Sequence, residues 1–123
     1  MKYLCLAYYD EKKYEAFPKA GMEALEAQCR TYDQALKQTG RLVMHGSLAS
    51  PRTTTVVRPK NGKPVITDGP YIETREQVGG FFLIEAKDLD EAIQLAYKHP
   101  ASHLGEQMDW GIEMRPIDFY EQF

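Results

Sequence analysis

The order of predicted secondary structure indicates an α+β fold. Two segments carry apolar residues at helical spacing, and the others alternate or run apolar over the length of a strand, with glycine, proline and asparagine between them. The composition agrees, because 43% of the residues are hydrophobic and 27% are charged, as in an ordinary globular protein. A chain of 123 residues fits one domain, so we predict a single domain over residues 1–123.

The first half of the chain is predicted to form a strand and a helix. Residues 2–9 are apolar and aromatic without a breaker, which favours a buried strand. A helix follows, with Pro18 in its first turn and Gly40 as a left-handed cap at its end. Its apolar stripe steps by three and four residues and consists of Met22, Leu25, Cys29, Tyr32 and Leu36.

Residues 41–49 alternate in the way that a half-buried strand does. Leu42, Met44 and Leu48 then lie on one face, and His45 lies on the other. If the three apolar side chains pack under the helices, His45 points into the open face of the sheet or into a pocket there.

The next segment, residues 53–67, has two β-rich runs around an Asn61-Gly62 pair. Both residues of the pair accept a positive φ, so the sequence predicts a tight hairpin. Pro59 and Pro64 cannot donate to a strand ladder, which places this hairpin at the edge of a sheet.

The second half of the chain predicts strand, helix and strand. Residues 81–86 are a continuous apolar strand. A helix begins after Asp88, with Glu91 as the capping-box partner, and Pro100 ends it. Residues 108–115 alternate as a last strand, in which the charged side chains share one face.

The predicted order is therefore β-α-β, a hairpin, and β-α-β. This is the ferredoxin-like order with an inserted hairpin, in which a mostly antiparallel sheet carries both helices on one face. The other face draws on the 8 tyrosines and 5 phenylalanines of the chain, and a large apolar surface usually marks an interface. We therefore expect a homodimer that pairs through the open face.

Several classes of function are disfavoured. A net charge of -3 and a pI near 5.6 provide no basic surface for nucleic acid. No apolar run approaches the length of a membrane span, and residues 1–10 are too rich in tyrosine for a signal peptide, so we expect a cytoplasmic protein. Cys5 and Cys29 lack the spacing of a metal site and are expected to be small buried thiols. We predict no metal and no cofactor, because neither histidine spacing nor a glycine-rich fingerprint supports one.

The loop from Thr67 to Gly80 is the most unusual stretch. Asp68, Gly69 and Pro70 form a typical turn, and three charged residues follow within four positions. Two interpretations stay open: Asp68 only caps its turn while the charges are solvated, or the loop presents chemistry to a ligand.

Several motifs resemble the YCII-related proteins of the DGPF type. The residues that carry the resemblance are Thr67-Asp68-Gly69-Pro70-Tyr71, Glu73-Thr74-Arg75-Glu76 and Gly79-Gly80. Matching segments also occur at Met1-Lys2-Tyr3, Val57-Arg58, Leu83-Ile84-Glu85-Ala86, Leu89-Asp90-Glu91-Ala92 and Ile112-Glu113-Met114-Arg115-Pro116, so the resemblance covers nearly the whole chain. Tyr71 replaces the family's Phe and Arg75 its Lys. The added hydroxyl of Tyr71 would need a partner in a dry site.

The resemblance implies a ferredoxin-like fold of the dimeric α/β-barrel kind and a homodimer with pockets beside the sheet face between subunits. It implies no settled reaction. A His-Asp pair has been proposed as catalytic in the wider YCII group, and one relative dehalogenates a ring-cleavage lactone. Members of the DGPF type also occur beside extracytoplasmic-function sigma factors, which implies a signalling role for some.

We predict that His45 and Asp68 are the proton carriers of an acid-base site. The candidate ligand contacts are Tyr71, Glu73, Arg75, Glu76, Glu113 and Arg115. In this hypothesis an arginine binds a carboxylate ligand next to the acid-base pair. The competing interpretations are that His45 is a satisfied interface histidine and that the two charged residues of the last strand form a structural ion pair. His99, at a helix end, is expected to be a cationic cap.

Two functions from different classes follow. The first is a protein that binds an unknown small molecule and performs acid-base chemistry, such as isomerisation, a lyase reaction or dehalogenation. The second is a non-catalytic module for ligand sensing or protein interaction. A third possibility is that the charged loop serves mainly to pair two subunits.

Overall fold

The computed structural model describes residues 1–123, which form six strands and three α-helices. Their bounds are β1 (Lys2–Asp10), α1 (Glu11–Ala16), α2 (Lys19–Gln38), β2 (Leu42–Ser47), β3 (Thr55–Lys60), β4 (Lys63–Asp68), β5 (Glu76–Glu85), α3 (Leu89–Ala96) and β6 (Gly111–Pro116). Four strands form one sheet in the order β2-β5-β1-β6, and every neighbouring pair is antiparallel. The predicted α+β, ferredoxin-like arrangement is confirmed.

The end of α2 and the start of α3 lie where capping residues predict, and α3 ends at Ala96, before the predicted stop at Pro100. Gly40 lies beyond the end of α2 with a φ of 72°, a left-handed conformation that glycine adopts without strain. The N–H of Glu91 donates to the carboxylate of Asp88 at 2.9 Å and starts α3. The longest helix, α2, has 20 residues, and neither it nor the shorter helices are apolar enough to cross a membrane.

The short helix α1 was not predicted, because its residues read as a polar stretch. Asp10 starts it by accepting a hydrogen bond from the N–H of Lys13 at 3.1 Å. The side chain of Asp10 is buried, so this cap lies under the end of the sheet rather than in solvent. A capping residue at the end of a strand therefore turns the chain directly from β1 into helix.

The core lies between the sheet and α2 and α3. Its buried residues are Tyr3, Cys5, Leu36, Phe82, Ile84, Ala86, Ala92 and Leu95. Burial raises the pKa of the Cys5 thiol to about 12, so the prediction of an inert buried thiol holds for Cys5. Ile112 and Met114 of β6 pack against the same core.

A register irregularity in β2 decides where His45 points. Leu42 pairs with Ile84 and His45 pairs with Phe82, and both partners belong to the core on the helix side. The register shifts between Leu42 and Met44, so the regular alternation of side chains is interrupted there. The prediction that His45 faces away from Leu42 is therefore wrong: both lie on the helix-covered face.

The hairpin of β3 and β4 forms its own two-stranded sheet. Asn61 and Gly62 have φ values of 53° and 78° at its turn, so the predicted hairpin is confirmed. The hairpin does not extend the main sheet, and both of its strands are edge strands, as the two prolines predict. Pro59 and Pro64 pair with each other across the hairpin, and neither has an N–H to donate to a ladder.

Candidate functional site

A cavity of about 750 Å³ lies between α2 and one end of the main sheet. At this end β1 and β2 finish and β5 begins, and the turn after α3 closes one side. The cavity is on the helix side of the sheet. The sequence placed a pocket at the open face instead, because the shift in β2 cannot be read from alternation.

Two histidines and one carboxylate meet in this cavity. His45 pairs across the strands with Phe82, and the ring of His99 stacks on the same Phe82 ring with centroids 4.4 Å apart. Asp33 of α2 lines the cavity with both of them. The pKa of His99 is lowered to about 4, mainly by burial; the charge of Asp33 opposes this shift and the charge of His45 adds to it.

His99 is therefore neutral at physiological pH. Its Nδ1 accepts a hydrogen bond from the N–H of Ala101 at 3.1 Å, which leaves the proton of the neutral ring on Nε2. The prediction of a cationic helix cap is wrong, because the ring is too buried to hold a charge. His99 caps the next turn as an acceptor and has one N–H donor left.

One face of α2 lines the cavity. Met22, Glu26, Cys29 and Asp33 follow one another at steps of four, three and four residues, as helical neighbours do. Burial first, and then the charges of Asp33 and Glu26, raise the pKa of the Cys29 thiol. Cys29 is only partly buried. Because its pKa is raised, the thiol stays protonated at neutral pH and does not support a nucleophilic role.

A hydrogen-bond network forms the wall opposite α2. The hydroxyl of Tyr9 donates to one carboxylate oxygen of Glu11, and the hydroxyl of Ser50 donates to the other at 3.3 Å. Burial and the adjacent Glu11 carboxylate raise the pKa of Tyr9. The ring of Tyr14 meets that of Tyr9 edge-on, with centroids 5.7 Å apart. This wall is aromatic, and its only charge belongs to Glu11.

Asp68 lies outside the cavity. It ends β4, pairs with Thr55 in the hairpin and is exposed to solvent. Its carboxylate accepts no hydrogen bond within the chain, so the predicted capping of its own turn does not occur. The N–H of Gly69 secures the turn instead, by donating to the carbonyl of Thr54 at 2.9 Å. A Cβ at Gly69 would lie 2.5 Å from the Thr54 side chain, which explains the glycine.

The other predicted loop residues divide between the hairpin and a second cleft. Tyr71 is exposed and lies under the guanidinium of Arg58, 4.0 Å from the ring centroid to Cζ. Arg75 and Glu76 line a cleft of about 680 Å³ beside Glu113. Glu73 is exposed at the loop tip and is among the residues of neither cavity.

The glycine pair at the end of the loop belongs to the cavity itself. Gly79 sits at an irregularity of the β1–β5 pairing, and a Cβ there would lie 2.7 Å from the Tyr9 ring. At Gly80 a Cβ would lie 3.1 Å from the carbonyl oxygen of Gly46. Gly79 thus leaves room for the tyrosine that forms the cavity wall, and Gly80 admits the backbone of β2. This is where the loop motif reaches the site.

Glu113 and Arg115 lie on the open face of the sheet. Glu113 pairs with Leu6 and Arg115 pairs with Leu4. Cys5, between these two leucines, points into the core, so the leucines and their partners lie on the opposite face. Tyr8 donates from its hydroxyl to Glu113 at 3.4 Å, and no ion pair joins Glu113 to Arg115. One chain therefore does not bring His45, Asp68, Glu113 and Arg115 into a single cluster. Their roles stay predictions.

The antiparallel sheet, the helix-side cavity and the loop motif define a class of small α+β proteins. A family model for the YCII-related domain matches residues 1–112, and the chain belongs to this family. The resemblance noted in the loop motif is thereby confirmed.

Two relatives extend this finding. An uncharacterised protein of Rhizobium meliloti (strain 1021) is 31% identical over 96 residues, which cover 78% of this chain and 77% of that protein. The fold is also similar to 5-chloro-2-hydroxyhydroquinone dehydrochlorinase (TftG) from Burkholderia phenoliruptrix AC1100, solved in complex with 2,5-dihydroxybenzoquinone. That match has a TM-score of 0.50 and 12% identity, and it covers 96% of this chain and 94% of TftG. At this identity the likeness shows the fold.

Asp33 and His99 were not predicted as site residues. One signal for Asp33 exists in the sequence: it follows Cys29 of the apolar stripe by four residues, so it borders the buried face of the helix. No such signal exists for His99, which reaches the cavity only through the turn after α3. No group of three or more histidine, cysteine, aspartate or glutamate side chains is close enough to hold a metal ion.

Proposed function

We propose that the helix-side cavity binds a small molecule and transfers a proton to or from it, with His45 as the proton carrier. The observation that carries the proposal is the meeting of His45, His99 and Asp33 in one cavity. A volume of about 750 Å³ fits a small organic ligand, since such sites usually measure about 300–1,000 Å³. Histidine is the side chain whose charge changes most readily near neutral pH.

Each group has a distinct role in this proposal. His45 takes a proton from the ligand, and the Asp33 carboxylate stabilises the imidazolium that forms. His99 stays neutral and donates its remaining N–H to an oxygen of the ligand. When a C–H proton is removed, the electron pair of that bond either forms an enolate or expels a leaving group from the adjacent carbon. Isomerisation and elimination both begin with this step.

The likeness to TftG supports a ligand of ring size. TftG is described as a dehydrochlorinase and was solved with a bound benzoquinone derivative. An elimination of hydrogen chloride requires the same proton removal that His45 is proposed to perform. The two chains share the fold, and the low identity carries no residue roles across.

Proton exchange tests the proposal without knowledge of the complete reaction. A panel of cyclic ketones with neutral, amino and carboxyl substituents is incubated with the protein in deuterated buffer, and loss of the C–H signals is followed by NMR. We expect catalysed exchange for at least one member. His45→Gln should lower the exchange rate roughly 100-fold or more, which is the usual contribution of a positioned acid or base.

The matched pair Asp33→Asn and Asp68→Asn identifies the partner of His45. Both changes remove one negative charge and keep the shape of the side chain. We expect Asp33→Asn to slow the exchange about tenfold and Asp68→Asn to leave it unchanged. The reverse result would contradict the role of Asp33 and restore the His45-Asp68 pair predicted from the sequence.

The second candidate function is ligand sensing or protein interaction without turnover, for example in sigma-factor signalling. The observation that favours it is the exposed apolar surface on the hairpin and the loop, formed by Val57, Ile66, Tyr71 and Ile72. Ligand binding at the cavity with no catalysed exchange for any member of the panel would support this function and count against the first.

We also propose a homodimer that pairs through the open face of the sheet. Leu4 and Met44 are exposed on this face and both pair with Leu83, and Leu6 and Phe81 pair with each other in the neighbouring row. Sedimentation analysis should give a dimer for the unaltered chain and a monomer for Met44→Glu. A dimer that survives Met44→Glu but is lost in Asp68→Ala would show instead that the loop holds the subunits together.

A further inference from the structure

The side chains that line the helix-side cavity have an unbalanced charge. Among the 22 residues that line it, Glu11, Glu26 and Asp33 are acidic, and none is lysine or arginine. Two nearby basic residues are engaged elsewhere. Lys13 binds Asp109 at 2.8 Å, and Arg52 binds Glu15 at 2.5 Å.

Arg30 is the one basic residue of α2 whose charge reaches Cys29, and it does not line the cavity. It borders a separate groove on the outer side of α2, together with Gln34. Burial is the largest cause of the raised pKa of the Cys29 thiol, followed by the charges of Asp33 and Glu26, and the opposing effect of Arg30 is the smallest. The charged side chains that line the cavity are therefore acidic, and no basic side chain among the lining residues offsets them.

The carboxylates differ in how much hydrogen-bonding capacity they have left. Glu11 already accepts from Tyr9 and Ser50. Asp33 and Glu26 accept no hydrogen bond and form no ion pair within the chain. Asp33 is half-buried beside the neutral ring of His99, so its carboxylate has free acceptor sites for a cationic group of a ligand.

The walls also favour an organic cation over other ligands. The rings of Tyr9, Tyr14 and Trp110 line the cavity, and the faces of aromatic rings attract ammonium groups. A metal ion is a poorer match, since no three ligating side chains are close enough together to bind one. A carboxylate ligand would meet three negative charges and no basic side chain.

We propose that the cavity selects an organic cation of ring size, an aromatic or cyclic amine whose ammonium group lies between Asp33 and Glu26 and whose ring packs on the tyrosines. This inference rests on the proposed function, since it names the ligand class of the same cavity. It replaces the carboxylate ligand expected from the sequence, because Arg115 lies on the other face of the sheet.

Three probes of one shape test the charge preference: 2-phenylethylamine, 2-phenylethanol and phenylacetate. Each is titrated into the full-length protein near neutral pH and at low ionic strength, and the backbone amide signals around the cavity are followed by NMR. We expect the amine to bind about tenfold more tightly than the alcohol and the acid to bind more weakly than either. Raising the salt concentration should reduce the advantage of the amine.

Two variants and a control test whether Glu26 and Asp33 cause the preference for the amine over the alcohol. Glu26→Gln and Asp33→Asn should each reduce the amine-to-alcohol ratio about threefold or more and leave the affinity for the alcohol unchanged. Asp118→Asn removes an exposed carboxylate after β6 and should change neither. Glu26 has no part in the proposed proton transfer, so its variant tests the ligand class alone.

The outcomes separate this inference from the proposed function. If phenylacetate or the alcohol shifts the cavity signals at concentrations at which the amine does not, the inference is overturned and the cavity remains a ligand site. If none of the three probes shifts these signals, the inference is overturned, and the proposed function is decided separately by the exchange of the cyclic ketones.

Discussion

The cavity and the Thr67–Gly80 loop differ in what their sequence suggests and what their geometry provides. The loop carries the motif that identifies the family, yet Asp68 is exposed, unbonded and outside the cavity. The cavity gathers its residues from three strands, two helices and a turn, among them His45, His99 and Asp33. A motif that identifies a family need not mark the place where its chemistry occurs.

The two regions are linked at one point. Gly79 and Gly80 end the loop motif and line the cavity, where the absence of a Cβ admits the ring of Tyr9 and the carbonyl of Gly46. The first part of the motif serves the hairpin, because Gly69 packs on Thr54. The two parts of the motif therefore have different roles: Gly69 affects the stability of the hairpin, and the Gly79-Gly80 pair affects the shape of the cavity.

The largest expected difference between the two regions is in stability. Phe82 is fully buried under His99, so Phe82→Ala should lower the free energy of unfolding by about 3–5 kcal/mol. Ile66 on the hairpin is 71% exposed, and Ile66→Ala should change it by less than about 0.5 kcal/mol. Urea unfolding followed by circular dichroism measures both. Similar losses for the two variants would show that the hairpin is covered by another part of the assembly.

The next effect is a pH dependence that belongs to the cavity. The pKa of His99 is about 4 in the folded chain and 6.5 for an ordinary histidine, so the unfolded chain binds more protons between these values. The contribution of neutral His99 to the free energy of unfolding is then fully present above about pH 6.5, and it is lost as the pH falls towards 4. We expect a loss of about 2 kcal/mol between about pH 7 and pH 5.

A matched variant isolates this contribution. In His99→Asn the amide can still accept from the N–H of Ala101, but it does not titrate. Urea unfolding at both pH values should show the dependence reduced by about 2 kcal/mol in His99→Asn relative to the unaltered chain. An unchanged dependence would mean that His99 is charged or solvated in the folded chain.

A smaller effect is expected at the turn of the loop. The Cβ of Gly69→Ala would lie 2.5 Å from the methyl group of Thr54, and the surrounding hairpin must shift to relieve the overlap. We expect a loss of about 1 kcal/mol, at the low end for an overpacked site, because the hairpin is largely exposed. Binding of 2-phenylethylamine at the cavity should not change, and a weakened affinity would show that the turn and the cavity are coupled.

The smallest effect is expected for Asp68→Asn. The carboxylate is exposed and accepts no hydrogen bond within the chain, so the free energy of unfolding should stay within about 0.5 kcal/mol of its original value. The Tm from calorimetry provides the measurement. A loss above about 1 kcal/mol would indicate a partner for Asp68 in the assembled protein.

Most of the fold follows from local patterns. The stripe of α2, the caps at Gly40 and Asp88, and the Asn61-Gly62 turn are set by residues near each other in the chain, and all were predictable. The helix α1 was missed because six residues are too few for a recognisable period. The separation of the hairpin from the main sheet depends on tertiary packing, which alternation does not report.

The site was harder to predict, because its geometry depends on two irregularities. The register shift after Leu42 turns His45 to the helix side, and the one near Tyr8 positions Tyr9 over Gly79. Such shifts insert one residue and reverse every face that follows, so strict alternation assigns His45 to the wrong side. Asp33 and His99 then meet His45 only through the tertiary fold.

The central claim is that ligands bind at the helix-side cavity rather than at the loop. Chemical-shift mapping with 2-phenylethylamine and its alcohol and acid analogues tests this directly, because each residue with a backbone N–H gives its own amide signal. We expect concentration-dependent shifts of the amide signals of Cys29, Asp33, His45 and the Gly79-Gly80 pair, with those of Tyr71 to Arg75 unchanged. Shifts confined to Asp68 through Arg75, with the cavity signals unmoved, would contradict it.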